Sequence, residues 1–86
     1  MRSVPEAFGE AVRRLRARRG FSQEGFAAHA GISRTYMSEI ERGVTNTSLD
    51  TVARVADGLG MPLGELFHEV DSERRRRAGS ASSTRV

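Results

Sequence analysis

Between Ser22 and Gly43 the chain reads Ser-Gln-Glu-Gly-Phe-Ala-Ala-His-Ala-Gly-Ile-Ser-Arg-Thr-Tyr-Met-Ser-Glu-Ile-Glu-Arg-Gly, and its second half holds the residues best suited to chemistry. Met37 and Ile40, three apart, mark the inward side of a helix, which leaves Arg34, Thr35, Ser38 and Glu39 on its outer side. The chemistry this suggests is recognition. A helix fits the major groove of a duplex, where an arginine fork can hold guanine O6 and N7 and a carboxylate can accept from cytosine N4. Catalysis finds no comparable set. His29 and His68 are isolated, with no third ligand at metal spacing. Glu39 and Glu41, two apart on a helix, do not share a face. There is no nucleophile with a base beside it and no glycine loop to cradle a phosphate, so an enzyme, a cofactor, a metal and a small-molecule ligand are not expected.

The elements that must position this face can be read outward from it. Ser22 can cap a short helix with Phe26, Ala27 and Ala30 inward, closed by Gly31 at a position suited to positive φ. After Ile32, Ser33 can cap the next helix, and Ile32 with Met37 has the spacing of a hydrophobic staple. Two short helices joined through a tight glycine turn cross steeply and project the second one outward. Upstream, Phe8, Val12 and Leu15 place an apolar stripe on a helix from about Pro5 to Arg19. Downstream, Val44 to Thr47 is a polar loop. Ser48 opens a fourth helix with Leu49, Val52, Ala56 and Leu59 on one stripe, and Pro62 starts a short fifth with Leu63, Leu66 and Phe67. No alternating run bounded by turn residues is present, so the fold class is all-α, a five-helix bundle over residues 5–70.

Charge is segregated along the chain. Residues 1–20 hold six arginines and two acids, residues 21–71 three arginines and eight acids, and residues 72–86 five arginines and one acid. A localised basic character of this kind suits a polyanionic partner. All basic residues are arginine, for which GC-rich coding is a sufficient explanation. From Ser72 the composition turns to Arg, Ser, Ala and Gly without apolar periodicity, and residues 72–86 read as a disordered Arg/Ser-rich tail. Cysteine is absent, and no apolar run suits a secretory signal or a membrane span, so a soluble cytoplasmic protein away from any membrane is expected.

These residues resemble the lambda-repressor-like (Cro/cI-type, XRE) helix-turn-helix family over about Phe8 to Phe67. The resemblance is carried by Leu15-Arg16, Gly20-Phe21-Ser22-Gln23, Phe26-Ala27, Ala30-Gly31-Ile32-Ser33, Tyr36-Met37-Ser38, Ile40-Glu41-Arg42-Gly43 and the Leu-Gly-Met-Pro-Leu-Gly-Glu-Leu-Phe ending. The stretch from Arg34 to Gly43 is most similar to the small controller proteins of restriction-modification systems. The resemblance implies a bacterial, nucleoid-associated transcription regulator whose partner is double-stranded DNA. It implies base reading by Ser33, Arg34, Thr35 and Glu39, and backbone contacts from Gln23, Tyr36, Ser38, Arg42, Thr45 and Asn46. It also implies a structural ion pair between Arg16 and Glu41. One recognition helix reads few base pairs, so a homodimer on an inverted repeat is expected, with Leu63, Leu66 and Phe67 as its interface. The same apolar patch would serve an antitoxin or adaptor that binds a protein instead.

The pattern also departs from the family. Gly25 stands where relatives carry the glutamate that completes a capping box, which should weaken the second helix. Gly9, Gly58 and Gly64 fall inside proposed helices, where each glycine costs about 0.5–1 kcal/mol relative to alanine. The arginines of the first helix, Arg13, Arg14, Arg18 and Arg19, form a polar face open to solvent or phosphate.

Overall fold

Four serines set the starts of four successive helices. The side chains of Ser3, Ser22, Ser33 and Ser48 accept from the backbone N–H groups of Glu6, Gly25, Tyr36 and Thr51, opening α1 (Val4–Arg18), α2 (Gln23–Ala30), α3 (Arg34–Arg42) and α4 (Leu49–Leu59). Each such cap satisfies a donor that the helix leaves unpaired and contributes about 1 kcal/mol. At Ser3 the cap is reciprocal, because Glu6 reaches back to the Ser3 N–H, a feature not read from the sequence. At Ser22 it is one-sided, as Gly25 requires. A fifth helix, α5 (Leu63–Arg85), completes the chain. The computed structural model describes residues 2–85, with side chains for residues 2–76, and no strand occurs among them.

The apolar stripes of all five helices meet in one core, with Val12, Phe26, Met37, Ile40, Val55 and Leu66 fully enclosed. Two corrections to the expected stripes follow. Leu49 is 77% exposed, and Val55 takes the buried place on α4. Leu49 is the first residue of its helix and lines an open apolar cleft. On α5, Leu66 and Val70 face the core, while Phe67, one residue round from Leu66, and Leu63, in the first position of the helix, are each 41% exposed. Leu66 therefore cannot belong to a surface contact.

Two of the first-helix arginines serve the fold. Arg19 donates through Nε to the Leu59 carbonyl at 2.7 Å, supplying a cation to the carbonyl end of α4. Arg14 binds Glu69 at 2.8 Å and Glu73 at 3.0 Å, fastening α1 to α5. Glu73 is 2% exposed and also lies 3.7 Å from Arg2 and 3.8 Å from Arg76. The tail expected from Ser72 is thereby corrected in its first part, since Ser72 to Arg76 continue α5 and are tied to α1 through Glu73. The expectation for residues 77–86 falls on side chains outside those described.

Hydrogen bonding from Arg14 holds the Glu69 carboxyl below its ordinary pKa. A depressed folded-state pKa means stability that is present above the unfolded value, about 4.3, and is lost as pH falls through the folded one. Because Glu69 keeps 30% of its side chain exposed, the contribution is of order 0.5–1 kcal/mol. Wild type should melt a few degrees above Glu69→Gln at pH 7, and the gap should close below about pH 4. Thermal melts across pH 7 to 3 test this; a gap that persists unchanged in acid shows that Arg14 does not act through the Glu69 charge.

Candidate nucleic-acid interface

The turn between α2 and α3 is built by backbone chemistry. Gly31 adopts φ +73°, and the Ile32 N–H returns to the Ala27 carbonyl at 2.9 Å, closing α2 within one residue of the Ser33 cap. Only a residue without a Cβ takes this conformation cheaply. Ile32 and Met37 on either side of the cap are both in the core, so α3 is anchored from its first turn. Its approach to α1 is equally close. A Cβ on Gly9 would lie 2.3 Å from the Ile40 carbonyl oxygen and 2.9 Å from that of Glu41. The glycine read as a cost to α1 is the point where α1 and α3 touch backbone to backbone.

With Met37 and Ile40 buried, the opposite side of α3 forms a polar cleft of about 250 Å³ lined by Gln23, Arg34, Thr35, Ser38 and Arg42. The structure thus gathers five of the expected contact residues from two helices. Ser33 stands exposed at the start of α3, its Oγ accepting from the Tyr36 N–H at 3.1 Å and its hydroxyl proton left to donate. Glu39 is half-buried beyond the cleft lining, and Tyr36, also half-buried, packs its ring against the core. Thr45 and Asn46 sit in the loop after α3. Asn46 lines a different, mostly apolar cleft of about 220 Å³ with Val4, Phe8, Leu49 and Phe67 among its walls.

The disposition of the arginines separates structure from interface. Arg2, Arg13, Arg14, Arg16, Arg75 and Arg76 are held by carboxylates, and Arg19, Arg54 and Arg74 donate to backbone carbonyls. Arg18 is exposed but within the field of Glu69. Among the described residues, Arg34 and Arg42 have no such partner, and both are exposed in the polar cleft. Two uncommitted guanidinium groups beside hydroxyl and amide donors are equipped to meet phosphates and base edges.

Behind the cleft lies an ion pair. Arg16 donates from Nε to Glu41 Oε2 at 2.6 Å, from Nη2 to Glu41 Oε1 at 2.9 Å, and from Nη1 to the Phe21 carbonyl at 2.8 Å. The two side chains are 13% and 3% exposed. Hydrogen bonding to the Glu41 carboxylate raises the Arg16 pKa, so the guanidinium stays charged. Glu41 Oε1 also accepts from Gln23 Nε2 at 3.1 Å. That bond was not legible in the sequence, since residues 18 apart give no periodic signal. The α5 carboxylates did leave one, because Glu69 and Glu73 have i, i+4 spacing, but a helix ended before Ser72 hides it.

Comparison with known proteins agrees with this geometry. A family model described as a helix-turn-helix domain matches residues 7–69. The control protein C.MunI of a Mycoplasma species is 39% identical over 74 residues, spanning 85% of this chain and all of that protein. The restriction-modification controller protein C.AhdI from Aeromonas hydrophila is 37% identical with a TM-score of 0.69, covering 72% of this chain and 90% of that one. The clp gene regulator ClgR from Corynebacterium glutamicum superposes with a TM-score of 0.88 at 28% identity, over 98% of this chain and 89% of that one. No helix among the described residues is long and apolar enough to cross a membrane. With the recognition helix, its glycine turn and the matched family model in agreement, the chain belongs to the helix-turn-helix domain family and, within it, is similar to the control proteins of restriction-modification systems.

Proposed function

We propose that this chain is a transcription regulator that binds an inverted-repeat operator as a homodimer, laying α3 in the major groove of each half-site. The observation that carries the reading is the pair Arg34 and Arg42, uncommitted and exposed in the cleft while most of the other described arginines are held by carboxylates or backbone carbonyls. Arg34, one residue past the Ser33 cap, enters the groove at the N-terminal end of α3 and reads a guanine. Ser33, Thr35 and Glu39 supply the remaining base contacts. Gln23, Ser38 and Arg42 bind phosphates, as do Tyr36, Thr45 and Asn46, and these contacts position the helix without reading sequence. The dimer surface is the exposed apolar set Val4, Leu49, Leu63 and Phe67, of which Val4, Leu49 and Phe67 line the cleft beside the loop after α3. The fully buried Leu66 is no part of it.

The test is selection of bound duplexes from a random pool, followed by affinities of wild type, Arg34→Ala and Gln23→Ala at one salt concentration. The selected site should be an inverted repeat. Arg34→Ala should lose about 1–3 kcal/mol per half-site and relax the preference at one guanine only. Gln23→Ala should weaken selected and unrelated DNA alike. A selected site without two-fold symmetry overturns the dimer, and an Arg34→Ala variant with base preferences intact removes Arg34 from base reading.

A further inference from the structure

We infer that Glu41 is a positioning residue for DNA binding: by accepting from Gln23 Nε2 it fixes the orientation in which the Gln23 amide meets a phosphate. The inference rests on the reading of Gln23 as a phosphate donor.

The chemistry begins with the choice of amide orientation. Both oxygens of Glu41 accept from Arg16, and a carboxylate so paired offers acceptors only. An amide oxygen turned toward it at 3.1 Å would set two acceptors against each other, so the NH₂ group must face Glu41. Once one N–H of this planar group is bonded, the direction of the other is set by the sp² geometry at nitrogen. Glu41 is in turn immobilised by the two-point grip of Arg16, whose third donor is anchored on the Phe21 carbonyl just before the Ser22 cap. The chain of bonds therefore runs from the interior of α1 through α3 to the first residue of α2.

Two consequences for binding follow. A free glutamine loses its rotamer freedom when it meets a phosphate, and here part of that ordering precedes DNA. A carboxylate one hydrogen bond away from the phosphate donor would also repel DNA, and the paired guanidinium of Arg16 cancels this charge. Glu41 thus acts on affinity through Gln23, and Arg16 makes its presence tolerable to a polyanion.

The test replaces the ion pair as a unit by Arg16→Met/Glu41→Leu, which avoids leaving a single buried charge, in the Gln23 and Gln23→Ala backgrounds. Affinity for a duplex of arbitrary sequence is measured below the melting temperature of every variant. The pair replacement should weaken binding roughly three- to tenfold when Gln23 is present and by less than twofold when it is alanine. Equal losses in both backgrounds, or no loss in either, overturn the inference. If Gln23→Ala alone leaves affinity unchanged, the reading of Gln23 as a phosphate donor fails instead. A second measurement needs no variant: in the free wild-type protein the ¹⁵N–¹H heteronuclear NOE of the Gln23 side-chain NH₂ should be strongly positive, as for an ordered group. A value near zero or below overturns the inference even if the replaced pair does not fold.

Discussion

Gly9→Ala should lower the melting temperature by roughly 10 °C or more, the opposite of what helix propensity alone would give. In isolation, alanine inside α1 would gain up to about 1 kcal/mol. The added Cβ, however, would sit 2.3 Å from the Ile40 carbonyl oxygen and 2.9 Å from that of Glu41, and both are backbone atoms of α3. No rotamer change relieves such a contact, so the two helices must separate. Overpacking of this kind costs about 1–3 kcal/mol or more. It falls on the crossing that aims α3 outward, so the net loss is placed at about 2 kcal/mol, each worth about 4–8 °C in a domain of this size. Gly64→Ala is the control, because nothing lies within 4 Å of the Cβ it would add on α5. It should raise the melting temperature. Circular dichroism melts of the two variants decide the matter, and a Gly9→Ala protein as stable as wild type would mean that α1 and α3 do not meet so closely.

The second large effect is expected from Arg16→Ala. Glu41 would keep the bond from Gln23 but lose both bonds from the guanidinium, with its carboxylate 3% exposed, and the Phe21 carbonyl would lose its donor. Removing one partner of a buried pair costs about 3–5 kcal/mol, because the charge left behind is neither hydrated nor neutralised. That is a large share of the whole stability of a small domain. Urea unfolding should show the midpoint falling without a change in slope, and DNA affinity at a fixed temperature should fall with it. A variant of undiminished stability that binds DNA poorly would turn Arg16 into a direct phosphate contact.

Local chemistry made much of the recognition unit legible. Ser22, Ser33 and Ser48 announce helix starts because a hydroxyl reaches an N–H three residues on, and Gly31 announces a stop because φ there is positive. Met37 and Ile40 divide α3 into an inner and an outer side by periodicity alone, and so placed Arg34, Thr35 and Ser38 on the side that forms the cleft. The same rule missed Leu49, because a stripe gives direction around a helix axis and says nothing of whether a neighbour covers that end.

The relations legible along the chain were ones that span a few residues: the caps at Ser22, Ser33 and Ser48, the glycine turn, the outward face of α3 and the all-helical class. Tertiary structure decided the relations between distant residues. It set Leu66 in the core and Phe67 at the surface, buried Glu73 against Arg14 59 residues away, and made Gly9 a crossing point. It also committed most of the described arginines to carboxylates and carbonyls, leaving Arg34 and Arg42 uncommitted in the cleft. The physical reason is that a guanidinium reads alike in every position along the chain, whereas its availability depends on which acceptors the packed helices bring within about 3 Å of it.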